Sequence, residues 1–428
     1  MGRTIAEKIL SDHCQREVRA GEIVVCDLDF LMAQDGTAPL AISSFEKMGA
    51  QRVFDPQKMA LVIDHNSPSP LESVSNLHAL MRKFAAEQGV FLYDVGEGIC
   101  HQLVPERGHI TCGDLVIGAD SHTCTYGALN LFSTGVGSTD LAAAMMTGKL
   151  WFKVPESIRI ILRGKLPPGV YAKDLILHLI GKFTADGATC RAVEFSGQLV
   201  ADLSIEARFT IANMVVEMGA KAGIFEADER ALQWVTERCP RTPRVIAPDP
   251  DAYYLQTMEL DVTQLSPQVA KPHQVDRVVA VDEVAVVRID QAVLGTCTNG
   301  RLEDLEVAAA ILKDRKVYPE VRFIVVPASR YVLLEAISKG IIEILITAGA
   351  ALVAPGCGPC VGTHAGIPSM TGSPVFIEFR KKMGAKDLAI TAPSPASRKT
   401  RGACSREDHQ PKFSPAPRNT PGPIPSLK

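Results

Sequence analysis

Long apolar runs are missing from this chain. No stretch approaches the ~20 apolar residues of a membrane-spanning helix, so no helical membrane protein is expected. The opening "MGRTIAEKILSDH" carries charges throughout and lacks the apolar core of a secretory signal. It also fails the myristoylation pattern, because Ala6 stands where Ser or Thr is wanted. Neither sign of charge dominates: the net charge of −3 gives no long-range pull toward nucleic acid or anionic lipid, and neither partner is expected. The Gly-rich "STGVGSTDLAAAMMTGKLW" (133–151) lacks the Gly-Lys-Ser/Thr ending of a phosphate-binding loop and any acid placed to read a ribose. A tight strand-to-helix turn accounts for it. No internal repeat is visible.

What the sequence does have is ordinary globular material: 46% hydrophobic and 22% charged residues over 428 positions, enough for two or three domains. Eleven cysteines in so long a chain do not form the pattern of a secreted disulfide framework, so reduced thiols and a cytoplasmic location are expected. Apolar runs repeatedly end in small-residue turns and pass into helical patterns, as in "QAVLGTCTNGRLEDLEVAAAILKD" (291–314), "VRFIVVPASRYVLLEAI" (321–337) and "ALVAPGCGPC" (351–360). Short β-rich runs alternating with helices predict an α/β fold with parallel sheets.

The polar, Pro-containing "QLSPQVAKPHQVDR" (264–277) reads as an interdomain linker. We therefore expect an α/β region of two subdomains over 1–284 and a further α/β domain over 285–391. The last 37 residues, 392–428, hold eight of the 28 prolines. Such a segment buries too little apolar surface to offset its ordering entropy, so a disordered tail is expected, with Cys404 an incidental thiol.

Cys297, Cys357 and Cys360 all lie in Gly-rich loops directly after strand-like runs. Ligands of open α/β sheets bind beyond the carboxyl ends of strands, and glycine lets the backbone approach a bulky group closely. Three thiolates suit an iron–sulfur cluster with one iron left open, whereas a structural zinc site wants four ligands, with His364 as the available fourth. Spacing alone leaves these two level. A thioredoxin-like redox pair needs no third cysteine and ranks below both.

Histidines stand beside carboxylates in three further segments: Asp64 and His65 in "VIDHNSPSP", Glu97 and His101 in "GEGICHQLVPE", Asp120 and His122 in "GADSHTCTYG". A carboxylate-held imidazole is what proton transfer near neutral pH requires. One such pair is ordinarily a satisfied polar contact; three in Gly-, Pro- or Ser-rich loops point to chemistry. Asn213 and Glu217 in "TIANMVVEMG" are spaced i, i+4, which puts them on one helical face and adds a carboxamide and an acid.

These segments together resemble the aconitase superfamily, and within it the large subunits of the 3-isopropylmalate dehydratases. The motifs are "QDGTAPLAI", "DHNSPSP", "GICHQL", "GADSHTCTYGALN", "TGVGSTD", "IANMVVEMGAKAGIF", "GTCTNGR" and "APGCGPCVGTHAG", in the family's order, over about residues 5 to 368. The resemblance implies three-layer α/β/α domains with the active site at a domain interface. It implies a [4Fe–4S] cluster on Cys297, Cys357 and Cys360, acting on a small-molecule hydroxy acid by reversible dehydration and rehydration. In this branch that is the step from 2- to 3-isopropylmalate in leucine biosynthesis; a homoaconitase-type dehydratase is the alternative.

By the same resemblance His101, Asp64, His65, Asp120, His122 and Glu217 are catalytic, and Gln34, Ser121, Asn213, Thr298 and Asn299 contact substrate or support those that do. The family's carbon base is a serine alkoxide on a mobile domain that this chain does not carry, which implies a separate small subunit. After "GTHAGIP" the family's "NRNF…GRMG" stretch is replaced by "SMTGSPVFIEFRKKMG", leaving Arg380 or Lys382 to supply the charge of the substrate-clamping arginine. Lysine lacks the bidentate fork of arginine, and the altered stretch also raises a cluster- or zinc-binding protein that has lost catalysis.

Overall fold

The computed structural model describes residues 2–284 and 287–367 and the backbone of the short strand Pro374–Phe376. Arg380, Lys382, Cys404 and the Pro-rich tail lie outside the described residues.

Three parallel sheets organise the chain, as the alternation of apolar runs and helices predicts. The first has five strands in the order Phe91–Tyr93, Met59–Val62, Phe30–Gln34, Leu115–Gly118, Phe132–Gly135. The second orders Ala222–Phe225, Ala192–Ser196, Ser157–Arg163 and Gln256–Asp261. The third orders Ala350–Leu352, Arg322–Val326, Gln291–Gly295 and Pro374–Phe376.

The first sheet's strands read as continuous apolar runs because both faces are covered. Leu31, Ala33, Leu61 and Ile117 face a core built with the helices Ala38–Lys47, Glu72–Gln88 and Ser138–Thr147. The alternating residues Phe30, Met32, Val62 and Val116 face a second core shared with helices Cys100–Glu106 and Ile205–Met214. Period-two alternation thus divides one strand between two cores, giving a helix–sheet–helix sandwich. In the third sheet Ala292, Leu294, Phe323 and Val325 pack on the helices Leu302–Leu312, Arg330–Ser338 and Ile341–Ala348.

The 133–151 segment opens as a strand, a Gly turn and the helix Ser138–Thr147, a tight strand-to-helix turn. Residues 264–277 differ from the linker reading. Gln268–Ala270 and Val278–Ala280 form an antiparallel ribbon, and the Gln268 amide donates to Asp174 Oδ1 at 2.6 Å on the helix Ala172–Phe183. Its prolines interrupt helix and sheet without preventing local pairing. Among the described residues no helix is long and apolar enough to cross a membrane.

The 3-10 segment Ser121–Leu129 runs across this arrangement, in contact with the helix Ile205–Met214 and the strand Ala222–Phe225. At Gly127 a Cβ would lie 2.0 Å from the Gly223 carbonyl oxygen, closer than any side chain tolerates. Gly127→Ala is therefore expected to destabilise the chain by about 1–3 kcal/mol, read as a lower urea midpoint at unchanged m-value.

Candidate active site

The site forms where the carboxyl ends of the first and third sheets meet. Phe30–Gln34 delivers Gln34 and Asp35, Met59–Val62 delivers Asp64 and His65, and Leu115–Gly118 delivers Asp120 to His122. From the other side Gln291–Gly295 delivers Cys297, and Ala350–Leu352 leads to Cys357 and Cys360. Backbone bonds dock the two sets of loops: Cys357 N–H donates to the Asp64 carbonyl (2.8 Å), Ile99 N–H to Ala328 (2.9 Å) and Arg330 N–H to Glu97 (2.8 Å). Gly356 permits the closest of these approaches, since a Cβ there would sit 2.7 Å from the Asp64 carbonyl oxygen.

Asp120 is the hub. Its Oδ1 lies 2.9 Å from His101 Nε2 and accepts the His122 backbone N–H at 2.8 Å, as the cap of the Ser121–Leu129 segment. Its Oδ2 lies 3.3 Å from His65 Nε2 and accepts from Gln34 Nε2 at 3.3 Å. Burial pushes the Asp120 pKa up, but the charges and hydrogen bonds of His101 and His65 outweigh it and hold the carboxylate well below its usual range.

His65 bridges two acids, with Nδ1 at 2.8 Å from Asp64 Oδ1. Burial alone lowers its pKa; Asp64 and Asp120 carry it well above the ordinary imidazole value. His101 goes the other way, because burial, helped by the His122 charge, outweighs Asp120 and Asp64. Its Nδ1 is buried with no partner. His122 has burial against it as well, but the Glu217 hydrogen bond and the Asp120 charge raise it. Ser121 Oγ lies 3.3 Å from His122 Nδ1.

One pairing differs from the sequence expectation. The carboxylate of His101 is Asp120, not Glu97, which instead pairs with Arg330 at 2.6 Å and Arg107 at 3.3 Å. Asp120 also meets His122, through the backbone N–H and with Oδ1 3.8 Å from the imidazole Nδ1, while Nε2 faces Glu217 at 3.6 Å. The shared helical face of Asn213 and Glu217 also changes, because the α-helix ends at Met214 and tightens into a 3-10 turn over Val215–Met218. Both side chains still reach the Ser121–Leu129 segment, Asn213 Nδ2 donating to Thr125 Oγ1 at 2.7 Å.

The three cysteines lie along one core, with Cys357 and Cys360 in contact with each other. Cys297 and Cys357 belong to the core that backs the first sheet, and Cys360 packs against it. Burial pushes Cys297 up to about 12, opposed by a hydrogen bond from Asn213. Contact with Cys357 draws Cys360 down to about 6 against burial, helped by the charges of His122 and Lys173, while Cys357 is raised by the same contact and by burial. His364, the proposed fourth zinc ligand, is turned to the His65 backbone and the Asp35 charge, and its Nε2 is buried without a partner. Thr298 and Asn299 face inward: Thr298 accepts from Thr210 Oγ1 at 2.7 Å through its carbonyl, and Asn299 Nδ2 donates to Asp304 Oδ1 at 2.9 Å.

Asp35 escaped the sequence reading although it lies inside "QDGTAPLAI". It accepts the backbone N–H groups of Asp64 (2.9 Å), His65 (2.7 Å) and Asn66 (2.9 Å), and so sets the turn that aims His65. Its proximity to "DHN" is purely tertiary; the one local hint is an acid placed directly after a strand.

The hub gives a pH window with a definite sign. His65, raised in the folded chain, contributes stability that is complete below the ordinary imidazole pKa and is lost as pH rises through the raised value. Asp120, depressed, contributes above the ordinary carboxylate pKa and loses it as pH falls through the lowered value. Urea midpoints of the chain and of His65→Gln are expected to differ by the equivalent of about 3 kcal/mol at pH 6 and to converge at strongly alkaline pH. A gap that widens with pH would contradict this assignment.

The family model described as Aconitase family (aconitate hydratase) matches residues 7–288 and 283–381. The chain is 46% identical over 401 residues to the "3-isopropylmalate dehydratase large subunit 1" of Methanopyrus kandleri, covering 93% of this chain and 96% of that protein. It is 51% identical over 369 residues to the "Probable 3-isopropylmalate dehydratase large subunit" of Methanothermobacter thermautotrophicus, covering 86% and 88%. The "3-isopropylmalate dehydratase large subunit 1" of Thermotoga maritima is 48% identical over 404 residues, covering 93% and 96%. A family match along nearly all of the described chain, with relatives close to half identical over most of their length, means that this chain belongs to the aconitase family.

Proposed function

We propose that this chain is the large subunit of a hydro-lyase that interconverts 2-isopropylmalate and 3-isopropylmalate, holding a [4Fe–4S] cluster on Cys297, Cys357 and Cys360 and working with a separate small subunit. The observation that carries the reading is the meeting of two buried thiols and a partly buried third with a carboxylate-held pair of imidazoles at the carboxyl ends of two sheets. The printed names of the relatives supply the substrate and the large-subunit assignment.

The donor set fits a cluster. Three sulfurs come from Gly-rich loops, Asn213 favours the thiolate of Cys297, and the neighbouring His101 Nδ1 is buried without a protein partner. His364 hydrogen-bonds the His65 backbone and lies near the Asp35 charge. When bound, the cluster supplies a Lewis-acidic iron for the substrate hydroxyl.

The side chains then divide the proton work. His101 Nε2 is fixed on Asp120, so Nδ1 is the atom left to exchange a proton with a bound hydroxyl. Neutral at rest, the ring becomes the acid once Nδ1 is protonated, with Asp120 stabilising the imidazolium. His65, charged between Asp64 and Asp120, and the raised His122 supply positive charge for substrate carboxylates. The base that takes the carbon-bound proton belongs to the small subunit in this reading.

Anaerobic reconstitution with iron and sulfide tests the proposal. About four irons per chain, and isopropylmalate turnover only after the small subunit is added, are the expected results. Zinc retained in place of iron, or turnover by the cluster-loaded chain alone, would sink the cofactor or the partner assignment respectively. His101→Gln is expected to keep its iron and lose roughly 10²–10⁴ in kcat. Asn213→Ala is expected to weaken iron retention by roughly 10–100-fold.

A further inference from the structure

Arg301 is among the largest fully buried side chains of the protein, at 1% exposure. It closes the turn that follows the strand Gln291–Gly295, four residues after Cys297. Its Nη1 donates to the Thr298 carbonyl at 3.2 Å, the same oxygen that accepts from Thr210. Its Nε donates to Gln102 Oε1 at 2.9 Å. Gln102 is the residue directly after His101 on the helix Cys100–Glu106. From there the contacts continue: Gln102 Nε2 donates to Glu106 at 3.1 Å, and Glu106 accepts from Ser329 Oγ at 2.6 Å. The guanidinium lies 5.0 Å from the Phe209 ring centroid, and Nη2 is buried with no partner.

A buried cation is costly and persists where its surroundings compensate it. Here Asp304 accepts the Arg301 backbone N–H at 3.0 Å, and Glu206 and Glu303 lie in its electrostatic surroundings. The turn it braces is itself unusual. Thr296 holds φ 67°, a left-handed conformation that a β-branched residue keeps only when its neighbours over-determine it.

We propose that Arg301 is a positioning residue that fixes the separation between Cys297 and His101 by bonding both segments at once, the cysteine turn through the Thr298 carbonyl and the histidine helix through Gln102. The thiol loop and the proton-carrying ring come from different sheets, yet both must address one substrate hydroxyl. A displacement of about 1 Å between such groups can cost on the order of a hundredfold in rate. Lysine keeps the charge but has no fork to span two acceptors.

The test uses the reconstituted chain with its small subunit, in Arg301→Lys, Gln102→Ala and the double variant. Each single change is expected to lower kcat by roughly tenfold or more with KM within about twofold, and to speed iron loss to a chelator by a similar factor in the two variants. The double variant should be no worse than the more affected single one, since both remove one link. Wild-type kcat and chelation rate in Arg301→Lys, or effects that multiply in the double variant, overturn the proposal. If Arg301→Lys does not fold, Gln102→Ala decides alone, and wild-type behaviour there is the overturning result. The kinetic arm rests on the dehydratase reading; the chelation arm does not, so a wild-type complex without isopropylmalate turnover defeats that reading and leaves the Arg301 comparison intact.

Discussion

The carboxylate of Asp120 is the constraint on which the rest of the site depends. A buried anion is tolerable only when cations and hydrogen-bond donors surround it, and Asp120 draws them from two other strand ends, at Gln34 and His65, and from His101 on the helix Cys100–Glu106. It also anchors the Ser121–Leu129 segment through the His122 amide. The hub therefore links three imidazoles whose protonation tendencies differ. His65 is raised because its bonds to two carboxylates outweigh burial, while at His101 burial and the His122 charge outweigh Asp120 and Asp64. Divergent tendencies among neighbouring groups are the ordinary basis of an acid–base division of labour.

Facing sheets explain why such residues converge. In parallel sheets the carboxyl ends of the strands open into loops free to carry polar residues, and two sheets set end to end pool their loops. The docking bonds are largely between backbone groups, Cys357 to Asp64 and Ile99 to Ala328, so they hold whatever the surrounding side chains do. The polar link from Ser329 through Glu106 and Gln102 to Arg301 adds a side-chain seam alongside them.

Much of this was legible in the sequence, because several signals were local. A cysteine after an apolar run and before a glycine, or an acid next to a histidine, marks a strand end with chemistry on it. The parallel α/β character followed from the same punctuation. Partner choice was not legible. Glu97 sits four residues before His101 in "GEGICHQLVPE", yet the acid that reaches the ring is Asp120, delivered by the strand Leu115–Gly118. Asp35 and Arg301 act through backbone groups remote or inward from the loops that advertise function, so no spacing rule exposes them. The tightening of the helix after Met214 and the ribbon at 268–280 are tertiary outcomes, set by packing on the Ser121–Leu129 segment and on the helix Ala172–Phe183.

The amide of Cys357 spends its hydrogen bond on the first sheet while its sulfur faces the site. One residue thus belongs both to the joint between the sheets and to the thiol set. By mass action, a ligand that the thiols hold only in this joined arrangement must also hold the joint, by an amount that grows with the logarithm of free ligand. Under the proposed cluster assignment, loading and joining become two views of a single equilibrium, and the chain's resistance to coming apart becomes a readout of the iron and sulfide supply around it.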